Sequence, residues 1–119
     1  MSGKKKDRET LMKLILGLYI LKLLQQGPNH GNKLVMEIKQ RTQDAYIPNT
    51  NALYPLLRKM EERGYVVGEW ESPTTRGKRV YTITDAGVAR IPALELMLEE
   101  RLKQIERNIE ILRLDLLDH

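Results

Sequence analysis

Residues 53–87 read LYPLLRKMEERGYVVGEWESPTTRGKRVYTITDAG, and three kinds of local order follow one another along them. Leu53, Leu56, Leu57 and Met60 recur three and four apart, which gathers them on one face of a helix. Tyr54, Arg58 and Lys59 fall on the opposite face, with Asn51 just upstream. Gly64 closes that helix behind Arg63, because a glycine accepts the left-handed conformation of a helix end. Residues 66–71 and 79–83 are rich in Val, Ile, Tyr and Trp and read as the two strands of a hairpin. The turn between them is polar and basic, with Arg76, Gly77 and Lys78. Thr84 then caps a new helix start that holds Asp85 and Gly87.

Upstream, Leu11, Leu14, Ile15, Leu18, Leu21 and then Leu24 or Gln25 mark one helical face over about 9–26, which Gly27-Pro28 ends. Asn29 is placed to cap a second helix, in which Leu34, Val35 and Ile38 repeat as far as Thr42. A polar turn around Asp44 leads to a third helix that starts at Asn49, Thr50 or Asn51. All three side chains can cap, and Pro55 is tolerated only near a first turn, where amides have no helical partner. Downstream, Pro92 either starts a fresh helix or kinks a continuous one. Beyond it Leu98, Leu102, Ile105, Ile109, Leu112 and Leu116 alternate four and three apart, a heptad-like seam lined by charges.

The chain of 119 residues supports one compact domain with a protruding element. Residues 92–119 carry a net charge of −3, which leaves +7 on the rest. A basic body with an acidic tail suits a module that faces a polyanion and is joined to a segment with another task. No cysteine is present, which removes disulfides, thiol catalysis and thiolate metal sites and fits a reducing cytosol. The longest apolar run, residues 14–21, is far short of the roughly 20 residues a bilayer span needs. No membrane association and no signal peptide are expected, and the location expected is cytoplasmic.

Nothing in the chain assembles a catalytic or metal site. His30 is the one internal histidine and lacks His or Cys partners, so its expected part is capping or packing. Glu61-Glu62 and Glu99-Glu100 are adjacent on helices, point in different directions and cannot form an acid–base dyad. Trp70 is expected to cover the inner face of the hairpin. The reading is of a non-enzyme without a cofactor.

The fold class expected is mainly α with a small β-hairpin (α+β): a winged helix-turn-helix followed by a C-terminal dimerisation helix. Residues 1–8 form a basic arm expected to be disordered, 9–90 the winged domain, and 91–119 the dimerisation helix. A helix enters the major groove, where base edges are distinguishable, and its N-terminal end usually meets the bases. Thr50, Asn51 and Tyr54 are therefore the expected base-side residues. Arg58 and Lys59 lie a turn further on, and Arg76, Lys78 and Arg79 of the wing would follow the phosphates. The rival is a winged-helix module that docks a protein partner and leaves DNA alone.

The chain resembles the PadR family of transcriptional regulators, in its short branch with a single C-terminal helix. The resemblance rests on Gly27-Pro28-x-His30-Gly31, Leu53-Tyr54-Pro55-x-Leu57, Glu61 or Glu62, Gly64-Tyr65-Val66 and Tyr81-x-Ile83-Thr84-x-x-Gly87. It implies a homodimeric repressor, bound to a palindromic duplex operator and released by a small aromatic or amphiphilic effector held between the first and C-terminal helices. Two positions depart from the family pattern. Asn32 stands where an aromatic is usual, and Asn51-Ala52 replace a Gly-Ser pair where bases would be read.

Overall fold

A computed structural model describes the protein over residues 2–72 and 78–118. Its elements run α1 (Ser2–Leu24), β1 (Asn29–His30), α2 (Gly31–Arg41), α3 (Thr50–Glu62), β2 (Val66–Trp70), β3 (Arg79–Ile83) and α4 (Asp85–Leu112), with a closing π-helical turn over Arg113–Leu117. The mainly helical architecture with a small antiparallel sheet is that of a winged helix.

At the centre stands α1. Leu16, Leu18, Ile20, Leu21, Leu23 and Leu24 are all buried, which covers the helix nearly all round rather than along one face. Such a helix needs neighbours on several sides, and it has α4 on one side and α2, α3 and β3 on others. Ile20 and Leu23 therefore belong to the core although the row of three-four spacings passes them by, whereas Gln25 is exposed. The expected disordered arm is corrected too: residues 2–8 are the opening turns of α1. Lys and Arg are good helix formers, and no proline interrupts them.

Asn29 does not cap α2. It lies in β1, where Asn29 pairs with Tyr81 and His30 with Val80, so the hairpin gains a third strand and the order is β1-β3-β2. Its Oδ1 accepts from the His30 amide at 3.0 Å. His30 occupies the N-cap position without a capping hydrogen bond. Between α2 and α3 the Thr42 hydroxyl donates to the Ile38 carbonyl at 2.9 Å and accepts from the Tyr46 amide at 3.1 Å. Those two bonds close a turn in which Gln43 and Asp44 take positive φ of 52° and 66°. Asn49 is the cap of α3, accepting from the Asn51 amide at 2.8 Å. Pro55 consequently sits in the second turn, not the first, and leaves the Asn51 carbonyl without its helical donor.

Gly64, at φ 81°, ends α3 as expected. The Tyr65 amide donates to the Met60 carbonyl at 2.9 Å and the Gly64 amide to that of Glu61 at 3.0 Å, the paired bonds of a Schellman closure. The same corner receives the start of α4. The Thr84 amide donates to the Tyr65 carbonyl at 3.1 Å, its hydroxyl donates to the Gly64 carbonyl, and its Oγ1 accepts from the Gly87 amide. Gly87 is pressed against that corner: a Cβ there would lie 2.2 Å from the Tyr65 carbonyl oxygen.

From this corner α4 runs 28 residues without a break at Pro92. An interior proline costs about 3 kcal/mol, and the burial of Ile91 together with the packing of Leu94 and Leu98 on the core offsets it. Past Leu98 the helix leaves the domain, giving overall dimensions of 66 × 30 × 27 Å. Among the described residues no helix is long and apolar enough to cross a membrane.

The corner predicts two graded losses of stability. Thr84→Ala should lower unfolding free energy by about 1 kcal/mol, the worth of an N-cap. Gly87→Ala should cost about 3 kcal/mol, because the added methyl meets backbone that cannot swing aside. Urea unfolding at fixed protein concentration measures both, and equal midpoints for the two variants would contradict the geometry.

Candidate nucleic-acid interface

The outer face of α3 carries Thr50, Asn51, Tyr54, Arg58 and Lys59, all exposed. A groove of about 720 Å³ runs beside it, between the N-terminus of α2 and the hairpin. Lys33, Tyr54, Arg58, Trp70, Lys78 and Arg79 are among its walls. Four of the expected contact residues, from helix and wing, thus meet in one groove. Asn51 and Lys59 lie over the crest of α3, on a second groove against α1. Arg76 falls outside the described residues. Lys33 was not anticipated; a cation in the first turn of the helix before the reading helix is the signal that points to it.

Tyr54 is fixed rather than free. Its hydroxyl donates to Asn32 Oδ1 at 3.0 Å, and its ring lies against Gly31, where a Cβ would come within 2.8 Å of ring atom Cε1. Asn32, one of the two departures from the family pattern, therefore ties α2 to the outer face of α3. The phenol oxygen, having given its proton to Asn32, still offers lone pairs to a donor.

Arg79 departs from its expected part. Its guanidinium pairs with Glu61 Oε2 at 3.0 Å, donates to the Gly68 carbonyl, and lies 5.6 Å from the Trp70 ring centre and 5.8 Å from that of Tyr81. It is spent on holding the hairpin to α3, which leaves Lys78 as the described wing cation that faces outward. The site is open because Gly68 is a glycine: a Cβ would stand 2.8 Å from the guanidinium. Trp70 shares the face of the sheet that carries the buried Val66 and Tyr81, as expected, but at its outer end, where it is 48% exposed on the groove and Arg79 stacks on it. Burial pushes the Tyr81 phenol above its ordinary value, with Arg79 pulling the other way. His30 Nε2 lies 3.4 Å from Glu71 Oε1, near enough for attraction but without a hydrogen bond. No grouping of metal-ligating side chains occurs among the described residues.

Residues 20–93, from the last turn or so of α1 to the first turns of α4, match the transcriptional regulator PadR-like family. The chain belongs to that family. It is a regulator of transcription and not an enzyme. This PadR-like chain is 31% identical over 88 residues to the transcriptional regulator Rv3488 of Mycobacterium tuberculosis, covering 74% of this chain and 79% of that protein. A solved transcriptional regulator of Thermoplasma acidophilum is 31% identical with a TM-score of 0.74, covering 87% of this chain and 97% of that one. A PadR family regulator of Eggerthella lenta shares the fold, with a TM-score of 0.67, 22% identity and coverage of 90% and 91%. The match spans α2, α3 and the hairpin, which build the first groove, and ends within the part of α4 that packs on the domain.

In this PadR-like chain the Arg79–Glu61 contact gives a direct test. Arg79→Met should lower stability by about 2 kcal/mol, the range for a lost charge-assisted hydrogen bond. Glu61→Gln should cost somewhat less. The double variant should cost less than the two together, since both remove one shared contact. Additive losses in chemical unfolding would show that the two side chains act apart.

Proposed function

We propose that this protein is a sequence-specific DNA-binding repressor that works as a homodimer on a palindromic operator and lets go when it binds a small effector. The observation that carries the reading is the groove of about 720 Å³ shared by α2, α3 and the hairpin, lined by Tyr54, Arg58, Lys33 and Lys78. In this reading α3 lies in the major groove with Thr50, Asn51 and Tyr54 toward the bases, Arg58 and Lys59 meet phosphates, and Lys78 and Arg76 extend along the backbone. Arg79 positions the wing instead of touching DNA. The protein works in the cytoplasm, in the compartment of its DNA.

The homodimer is supported by the far half of α4. Leu102, Ile109, Leu112 and Leu116 are 40–63% exposed in a single chain, an apolar stripe that water disfavours and a second copy would cover. Ile105 is half-buried beside them. Leu98, counted in the same seam, packs on its own core and is removed from the interface. The last apolar residues sit on the π turn, which brings Leu117 next to Leu112 and Leu116 in one small cleft. Twofold pairing would set two α3 helices about one DNA turn, roughly 34 Å, apart.

Fluorescence anisotropy with the duplex upstream of the protein's own gene, repeated across salt concentrations, tests the reading. Affinity should fall steeply with salt and exceed that for random duplex by about a thousandfold or more. Arg58→Ala should weaken binding to all sequences and reduce the log–log salt slope by about 1, whereas Asn51→Ala should relax base preference. Failure to bind any duplex, even at low salt, would leave a protein-docking module in its place. Sedimentation should give a dimer mass for the native chain and a monomer for Leu112→Asp with Leu116→Asp.

A further inference from the structure

The second groove, about 680 Å³, opens between the first half of α1, Tyr46 and the start of α3. Its floor is aliphatic: Met12, Leu16, Ala52, Pro55 and Leu56, with the Tyr46 ring at its edge. Its rim is cationic, from Arg8, Lys13 and Lys59. Among the described residues none of these three cations forms an ion pair, and no carboxylate lines the groove. Elsewhere on the surface Lys22, Arg41, Arg79 and Lys103 each have an acidic partner. Like charges around low-dielectric walls, with no carboxylate among the residues that line the groove, focus a positive potential into the trough. The volume suits a small ligand, and an apolar trough with a few charged groups is the usual form of such a site. By contrast, the cleft where α1 meets α3 and α4 within one chain holds only about 110 Å³.

The floor selects the ligand's body and the rim its head. Flexible aliphatic side chains without facing aromatic plates fit a polymethylene chain. Cations on the rim, with Lys13 and Lys59 shared with the adjoining cleft, fit a carboxylate. We propose that this groove binds a single-chain acyl carboxylate and that its occupant excludes duplex DNA from the Asn51 and Lys59 side of α3. The second half of the statement rests on the DNA-binding reading above. Lys59 cannot serve a ligand carboxylate and a DNA phosphate together, and a chain lying beside Asn51 and Pro55 blocks the approach of a strand. Release would then be direct competition at the reading helix.

Calorimetric titration of the full-length protein with dodecanoate below its micellar concentration is the test, with decyltrimethylammonium as the charge-reversed probe. One dodecanoate should bind per chain and the cation should not. Met12→Glu, which places a carboxylate in the trough at a residue 41% exposed, and Lys13→Glu on the rim should each weaken dodecanoate at least tenfold. Circular dichroism checks that both variants fold. In anisotropy, dodecanoate should raise the apparent Kd for duplex in the native chain and leave it unmoved in Met12→Glu. Dodecanoate binding unchanged in both variants, or binding of the cation equally well, overturns the site. A Met12→Glu chain that sediments as a monomer overturns it too, by giving the groove to a second copy. Loss of duplex binding altogether, with dodecanoate still held in the groove, sinks the repressor reading and spares the ligand site.

Discussion

One guanidinium sets the relation between the hairpin and the helix beside it. Arg79 stands on β3, takes the carbonyl of Gly68 on β2 and the carboxylate of Glu61 on α3, and stacks between Trp70 and Tyr81. The pair is one-third exposed on each side, so water screens it less than an exposed ion pair and its geometry is worth more. The base of the hairpin is held by β1 and by Val66 and Tyr81 in the core; the clamp adds a tie from its outer end to α3. With the clamp in place the groove width is a property of the fold. The buried Arg79 Nε without a partner is the cost of that position.

A second constraint joins the same C-terminal end of α3 to α4. The carbonyls of Gly64 and Tyr65 are taken by Thr84, and Gly87 packs against the same peptide. The direction of α4 is thereby set within a few residues of where α3 stops. A helix of 28 residues is about 42 Å long, so in the proposed dimer a small rotation at its far end would move α3 at its root by a large distance. Two such levers crossed in a dimer would make operator spacing sensitive to how their apolar stripes meet. That is a two-state element on which any ligand with unequal affinity for the two packings could act.

What the sequence discloses depends on how local the cause is. α2, α3, the two long strands, the Gly64 closure and the Thr84 cap each follow from periodicity or from one residue's backbone preference. β1 has two residues and no period, so only its partner β3 reveals it. α1 shows one apolar face in its spacing but is buried nearly all round, because two groups of neighbours close on it from separate parts of the chain. Whether Pro92 breaks the helix or only kinks it stays open in the sequence until the burial around it is known. Within the candidate site Tyr54, Arg58 and Lys78 could be read directly, since an outward face is local. Arg79 could not: a cation opening a wing strand resembles a phosphate contact, and only folding brings Glu61, eighteen residues away, to 3.0 Å. Asn32 is similar, its meaning given by a tyrosine hydroxyl 22 residues on.

The two flanks of α3 differ in kind, and this difference has a consequence. Toward the wing the helix borders aromatic rings, amide groups and cations, surfaces that accept a hydrated phosphate strand without loss. Toward α1 it borders methionine, leucine and proline under a cationic rim. Phosphates can satisfy the rim there but not the floor, because apolar surface gains nothing from a charged strand. Bound DNA would leave that trough either wet or empty, whereas a chain with an anionic head would satisfy both parts at once. Asn51 and Lys59 stand on the ridge between the two environments. A single helix placed on such a ridge can be claimed by a nucleic acid from one side or by an amphiphile from the other, and its own amino acids decide which claim excludes which.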